Sequence, residues 1–225
     1  VPGLDAAFAV VLHRDAARRR LIVRALAREQ VDAEVFPAVD GRDLTVAGLA
    51  ELRRRGYLAP GLESERSRGQ IACALSHVRL LERIVEQGYR HTLVLEDDAE
   101  LVAGFRRQLA DRLREAPPGF DLLYLYCSSH PSMVFREIEG QSHLRRPDYP
   151  IGTVGYVVSR RGAERALRLV KPIYYTIDNM LAEHVEEGRL AAYIAVPALV
   201  SESAGFLSNI RGSGLVAGLR EEASG

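Results

Sequence analysis

Along this chain, short apolar runs alternate with longer stretches in which apolar residues recur at helical spacing, and the change of period marks out the elements. The run Ala6 to Leu12 predicts a strand, and Leu21, Ile22, Ala25 and Leu26 behind it predict a helix. Val31 to Val39 alternates apolar and polar residues and ends in Asp40-Gly41-Arg42-Asp43, so the opening reads as a β-α-β unit closed by a tight turn. Thr45 to Tyr57 predicts a helix, Leu58 to Gly69 an exposed, mobile loop, and Gln70 to Gln87 a long amphipathic helix stopped by Gly88.

A four-residue apolar run, Thr92-Leu93-Val94-Leu95, then predicts a buried strand with Glu96-Asp97-Asp98 at its carboxyl end. Phe105 to Ala116 reads as a helix and Leu122 to Tyr126 as another central strand. The aperiodic stretch Cys127 to Tyr149 reads as a loop-rich insertion able to carry a hairpin. Strand Gly152 to Ser159, helices Gly162 to Val170 and Thr176 to Glu187, and strand Ala192 to Val196 follow. The expectation is one domain over residues 1–211 with a flexible Gly- and Ser-rich tail at 212–225. Strands alternating with helices imply an α/β layer fold with a largely parallel sheet, in which ligands bind beyond the carboxyl ends of the strands.

Composition narrows the classes. Lysine plus arginine and aspartate plus glutamate each number 30, so no net field draws nucleic acid or an anionic bilayer. No stretch approaches the roughly 20 apolar residues of a membrane span, and the N-terminal residues lack a signal-peptide layout. Cys73 and Cys127 sit in neither disulfide-framework nor metal spacing, so the expected compartment is reducing and cytoplasmic, at most at the inner face of a membrane. Phosphate-loop, nucleophile-elbow and H-E-x-x-H patterns are absent.

The candidate chemistry gathers on the acids. Three adjacent carboxylates after a buried strand repel one another, and a divalent cation relieves that. Oxygen-only ligands suit Mn²⁺ or Mg²⁺, which complete their shells with phosphate oxygens and water. A solvated loop or a helix's first turn would account for the same residues. His77 after Ser76 fits a packed or capping histidine as well as a cleft residue, and Asp178 fits a helix cap as well as a base. Tyr156, Tyr174 and Tyr175 are candidates to stack on a sugar.

Taken together, the motifs resemble glycosyltransferase family 25, the lipopolysaccharide glycosyltransferases that also include the collagen galactosyltransferases. Gly69-Gln70-Ile71-Ala72-Cys73-Ala74-Leu75-Ser76-His77 is similar to the family's G-E-I-G-C-x-x-S-H block, and Leu93-Val94-Leu95-Glu96-Asp97-Asp98 follows at a similar distance. Phe36 to Gly41 resembles its A-x-D-G turn, Gly152 to Ser159 its G-t-x-x-Y-x-x-S segment, and Ser208-Asn209-Ile210 its closing S-x-I. Val11-Leu12-His13-Arg14 departs from the family's Asn-Leu-Asp-Arg, and Gln70 and Ala72 replace its glutamate and glycine.

The resemblance implies a GT-A-like fold, a UDP-sugar donor and inverting transfer of galactose or glucose to a hydroxyl of a lipopolysaccharide or other glycan. On it, Asp98 ligates the metal, Glu96 touches the donor ribose, a metal-bound water or the metal itself, Asp97 buttresses the pair within the donor site, and Asp178 is the base. Leu12, His13, Arg18, Asp40, Gly41, Ser76 and His77 then belong to the donor site, with Arg18 or Arg79 beside the diphosphate. Two other classes use the same features: a non-catalytic family member serving as a scaffold, and a metal-dependent phosphohydrolase.

Overall fold

The computed structural model describes residues 1–126 and 134–203. The 212–225 tail, the Ser208-Asn209-Ile210 match and Cys127, which opens the expected insertion, lie outside the described residues.

The β-α-β opening is present as β1 (Ala6–Val11), α1 (Ala16–Arg28) and β2 (Glu34–Pro37), with β1 and β2 parallel. The second strand is shorter than the alternation predicts, because it ends at Pro37, whose nitrogen carries no proton for the ladder. The turn Gly41–Asp43 is 3-10 helical and is capped by Asp40, whose carboxylate accepts from the Arg42 N–H at 2.9 Å. Then come α2 (Val46–Arg54), the single turn α3 (Leu62–Glu65) and α4 (Arg68–Gln87). Ser67 and Gln70 form a reciprocal capping box that starts α4 two residues earlier than periodicity suggests, and left-handed Gly88 ends it.

The 58–69 segment corrects one expectation. Leu58 and Leu62 are buried and Leu58 bridges to Ile173, so apolar anchors tie the segment to the core and it is not exposed throughout.

The remaining elements are β3 (His91–Glu96), β4 (Ala99–Leu101), α5 (Phe105–Glu115), β5 (Leu122–Tyr124), β6 (Phe135–Ile138), β7 (Gln141–Pro147), β8 (Gly155–Ser159), α6 (Arg160–Val170), α7 (Ile177–Glu186), β9 (Ala192–Ala195) and β10 (Val200–Glu202). Eight strands form one sheet in the order β2-β1-β3-β8-β5-β9-β7-β6. Strands β8 and β7 oppose the common direction of the other six. The hairpin expected inside the insertion is the β6–β7 pair, which extends the sheet through β9.

Both faces of the sheet are covered. Val94, Tyr156 and Val158 point into a core shared with α4, α6 and α7, while Leu93, Leu95 and Val157 point into one shared with α1 and α5. This explains why the central strands read as unbroken apolar runs. Gly162 lets α6 start directly against β5, since a Cβ there would lie 2.1 Å from the Asp121 carbonyl oxygen. Two short strands escaped the sequence reading: β4 and β10 pair antiparallel just beyond the acids. Among the described residues no helix is long and apolar enough to cross a membrane.

Candidate active-site cleft

A cleft of about 870 Å³ opens at the carboxyl ends of β1 and β3. Its walls include the loop Ala38 to Arg42, one face of α4, the segment Ile151 to Val154 and the N-terminus of α7. Because β8 runs against β3, its entering residues reach this same edge, which places Thr153 beside Glu96.

Glu96 is well provided for. Its Oε1 accepts from Thr153 Oγ1 at 2.6 Å and lies 3.1 Å from His77 Nε2. His77 Nδ1 lies 3.0 Å from the Tyr156 hydroxyl, so the imidazole bridges Tyr156 and Glu96. Burial works against ionisation of Glu96, yet the hydrogen bond and charge of His77, the bond from Thr153 and the Arg18 charge outweigh it and hold its carboxyl below the usual value.

The other two acids are less complete. Arg18, buried at 4% exposure, donates from Nη1 to Asp97 Oδ1 at 2.7 Å and to Asp98 Oδ2 at 3.3 Å. Asp97 is raised by burial in spite of Arg18. Burial, and then the Glu96 charge, push Asp98 up to about 7, and its buried Oδ1 has no hydrogen-bond partner. An unpartnered carboxylate oxygen beside two further acids fits a divalent cation, which would replace the missing positive charge.

Cys73, His77 and Glu96 also bring ligand-type atoms within 4.8 Å of one another. There both imidazole nitrogens are already hydrogen-bonded, and burial with nearby carboxylates pushes the Cys73 thiol well up. The Asp98 end of the triplet is the better cation position.

The other candidates divide. Leu12, Asp40, Gly41, Ser76 and Asp178 line the cleft together with the acids and His77. Asp40 is held by Arg14 at 2.5 Å, and Gly41 is required where it stands, since a Cβ would lie 2.8 Å from the Arg68 carbonyl. Asp178 sits one residue inside α7 and is not its cap; Thr176 occupies that place. His13 and Arg79 are exposed and are not among the lining residues. Tyr156 is buried against His77, and Tyr174 and Tyr175 lie outside the lining, with Arg66 stacked on Tyr175 at 3.7 Å.

Sequence reasoning missed Glu202 and Thr153. Glu202 lies on β10 in the cleft wall, where its charge adds to the upward push on Asp98. A three-residue strand has no periodicity to reveal it. Thr153 stood inside a motif already noted, but only the reversed direction of β8 shows that it meets Glu96.

Fold and cleft define an α/β protein that gathers carboxylates and one buried arginine at the carboxyl edge of its sheet. The model of glycosyltransferase family 25 (LPS biosynthesis protein) matches residues 5–181, and the chain belongs to that family. Procollagen galactosyltransferase 1 of Danio rerio is 30% identical over 176 residues, covering 74% of this chain and 29% of that one. A glycosyltransferase 25 family member of Anopheles gambiae is 33% identical over 173 residues, covering 74% and 29%. A relative named inactive glycosyltransferase 25 family member 3, from Mus musculus, is 31% identical over 172 residues, covering 73% and 29%. The chain thus spans less than a third of the length of these relatives. Among solved structures, a glycosyltransferase involved in glycosylation of the major capsid of PBCV-1 superposes with a TM-score of 0.46 at 11% identity, covering 90% of this chain and 94% of that one.

Proposed function

We propose that this chain is a catalytic glycosyltransferase, moving galactose or glucose from a UDP-sugar to a hydroxyl of a lipopolysaccharide or other glycan, with inversion and with dependence on Mn²⁺ or Mg²⁺. The observation that carries the reading is the Asp98 carboxylate, whose buried Oδ1 lacks a partner at the wall of a cleft large enough for a nucleotide sugar. Family membership and the galactosyltransferase relative support the donor and sugar class.

Asp98 and Glu96 would hold the cation, which when bound supplies Lewis-acid neutralisation of the departing diphosphate. Arg18 fixes Asp97 and Asp98 relative to α1. Asp178, presented at the cleft by the first turn of α7, takes the proton of the acceptor hydroxyl as it attacks the anomeric carbon from the face opposite the leaving group. Asp178→Asn is expected to lower kcat roughly 100-fold or more with donor binding retained.

Calorimetry of UDP-galactose and UDP-glucose with Mn²⁺, repeated on Asp98→Ala, tests the proposal. Metal-dependent binding that the substitution abolishes supports it. No binding of either sugar nucleotide would favour a scaffold role, the reading that the relative named inactive and the departure at His13 support. Release of free sugar in the absence of acceptor, with no transfer in its presence, would favour a hydrolase.

A further inference from the structure

Ser76 and His77 are neighbours on α4, and each is 1% exposed. Successive helical residues point about 100° apart, so the pair reaches two different walls of the cleft. Ser76 Oγ donates to the Ala72 carbonyl at 2.7 Å and accepts the Val39 N–H at 2.9 Å. Val39 leads straight into Asp40 and Gly41, and Gly41 in turn presses on the backbone of Arg68 and Gly69. The loop after β2 therefore touches α4 at two levels, about two turns apart. On the other side, His77 spans from the Tyr156 hydroxyl to Glu96.

The Ser76 hydroxyl proton and one of its lone pairs, and both ring nitrogens of His77, are engaged inside the protein, and almost none of the surface of either side chain is left for a ligand. We propose that Ser76 and His77 are positioning residues forming a two-sided brace: Ser76 sets the Val39-Asp40-Gly41 loop and His77 sets the Glu96 carboxylate. One rigid helix then fixes the distance between the two walls, and with it the span of ligand that fits between them. The functional half of this inference rests on the reading of the cleft as a nucleotide-sugar site; the structural half does not.

Hydrogen exchange on the protein alone tests the Ser76 arm. In Ser76→Ala the Val39 amide is expected to exchange roughly tenfold faster, the change that one such hydrogen bond supports. The adjacent Ala38 amide, bonded to the Val11 carbonyl at 2.9 Å, should keep its protection. UDP-galactose binding should weaken severalfold while kcat at saturation holds. For the His77 arm, His77→Leu should lower kcat at least tenfold with the donor KM little changed. His77→Gln, whose amide can still donate to Glu96, should restore most of that loss at an unchanged unfolding midpoint. Unaltered Val39 exchange in Ser76→Ala, or a Gln variant no better than Leu, overturns the brace. A wild-type protein that binds no sugar nucleotide while Val39 still responds would overturn the proposed function and leave the loop half of the brace standing.

Discussion

Two aspartates, Asp121 fully buried and Asp98 partly so, stand at opposite ends of the sheet and differ in how far the chain completes them. Asp121, at the entry to β5, is fully buried, and both its oxygens are used: Arg161 at 3.0 Å, Arg165 at 3.2 Å and the Ala191 N–H at 2.8 Å. Asp98, at the exit of β3, has one oxygen shared with Arg18 and one with no partner. Burial of an acid alone does not mark a site. The chain completes Asp121, whereas Asp98 keeps an oxygen that, on the proposed reading, a cation would complete.

The sharpest test of this contrast is Asp98→Ala, expected to cut transfer at least roughly 100-fold while leaving the unfolding midpoint unchanged or raised, because an ill-solvated charge is removed. Asp121→Ala should do the reverse. Losing bonds to two guanidinium groups and an amide should cost about 2–3 kcal/mol in denaturant titrations, with activity per folded molecule retained.

A pH experiment separates the two more finely. A carboxyl raised to about 7 in the folded protein, against 3.8 ordinarily, favours folding fully below the ordinary value and loses that contribution as pH rises through about 7. In metal-free protein the unfolding midpoint should therefore fall between about pH 4 and pH 7 through Asp98, and Asp98→Asn should flatten that part of the slope. Added Mn²⁺ should raise the midpoint at pH 8 more than at pH 5, where it competes with a proton. The smallest effect is expected of Arg161→Ala, under about 1 kcal/mol, because Arg161 is half exposed and Arg165 stays on Asp121. A larger loss would show the Asp121 cluster to be finely balanced.

The long elements were legible from periodicity: α1, α4, α5 and the central strands stand within a few residues of their predicted positions. So was the grouping of Glu96, Asp97 and Asp98 at a strand's carboxyl end, since that follows from a short apolar run with acids behind it. The relations among candidates were not legible. Whether His77 meets a ligand or Glu96 depends on the rotation of α4 against β3. Whether Arg18 serves a diphosphate or its own acids depends on how α1 packs against β1 and β4, since Arg18 lies 79 residues from Asp97 in sequence. Glu202 and the β4–β10 ribbon lay beyond reading because three-residue strands are held by their partners and carry no pattern of their own.

The slot that β8 fills between β3 and β5 bears on how the chain is made. On the ribosome, β3 and β5 both emerge before Gly155, so the flank of β3 that later pairs with β8 stays bare while about 60 further residues are added, several seconds at ordinary elongation rates. An apolar strand with an open edge invites pairing with other chains. When β8 arrives it seals the edge and carries Thr153 to Glu96 in the same step, so closing the sheet and completing the hydrogen bonding of Glu96 are one event.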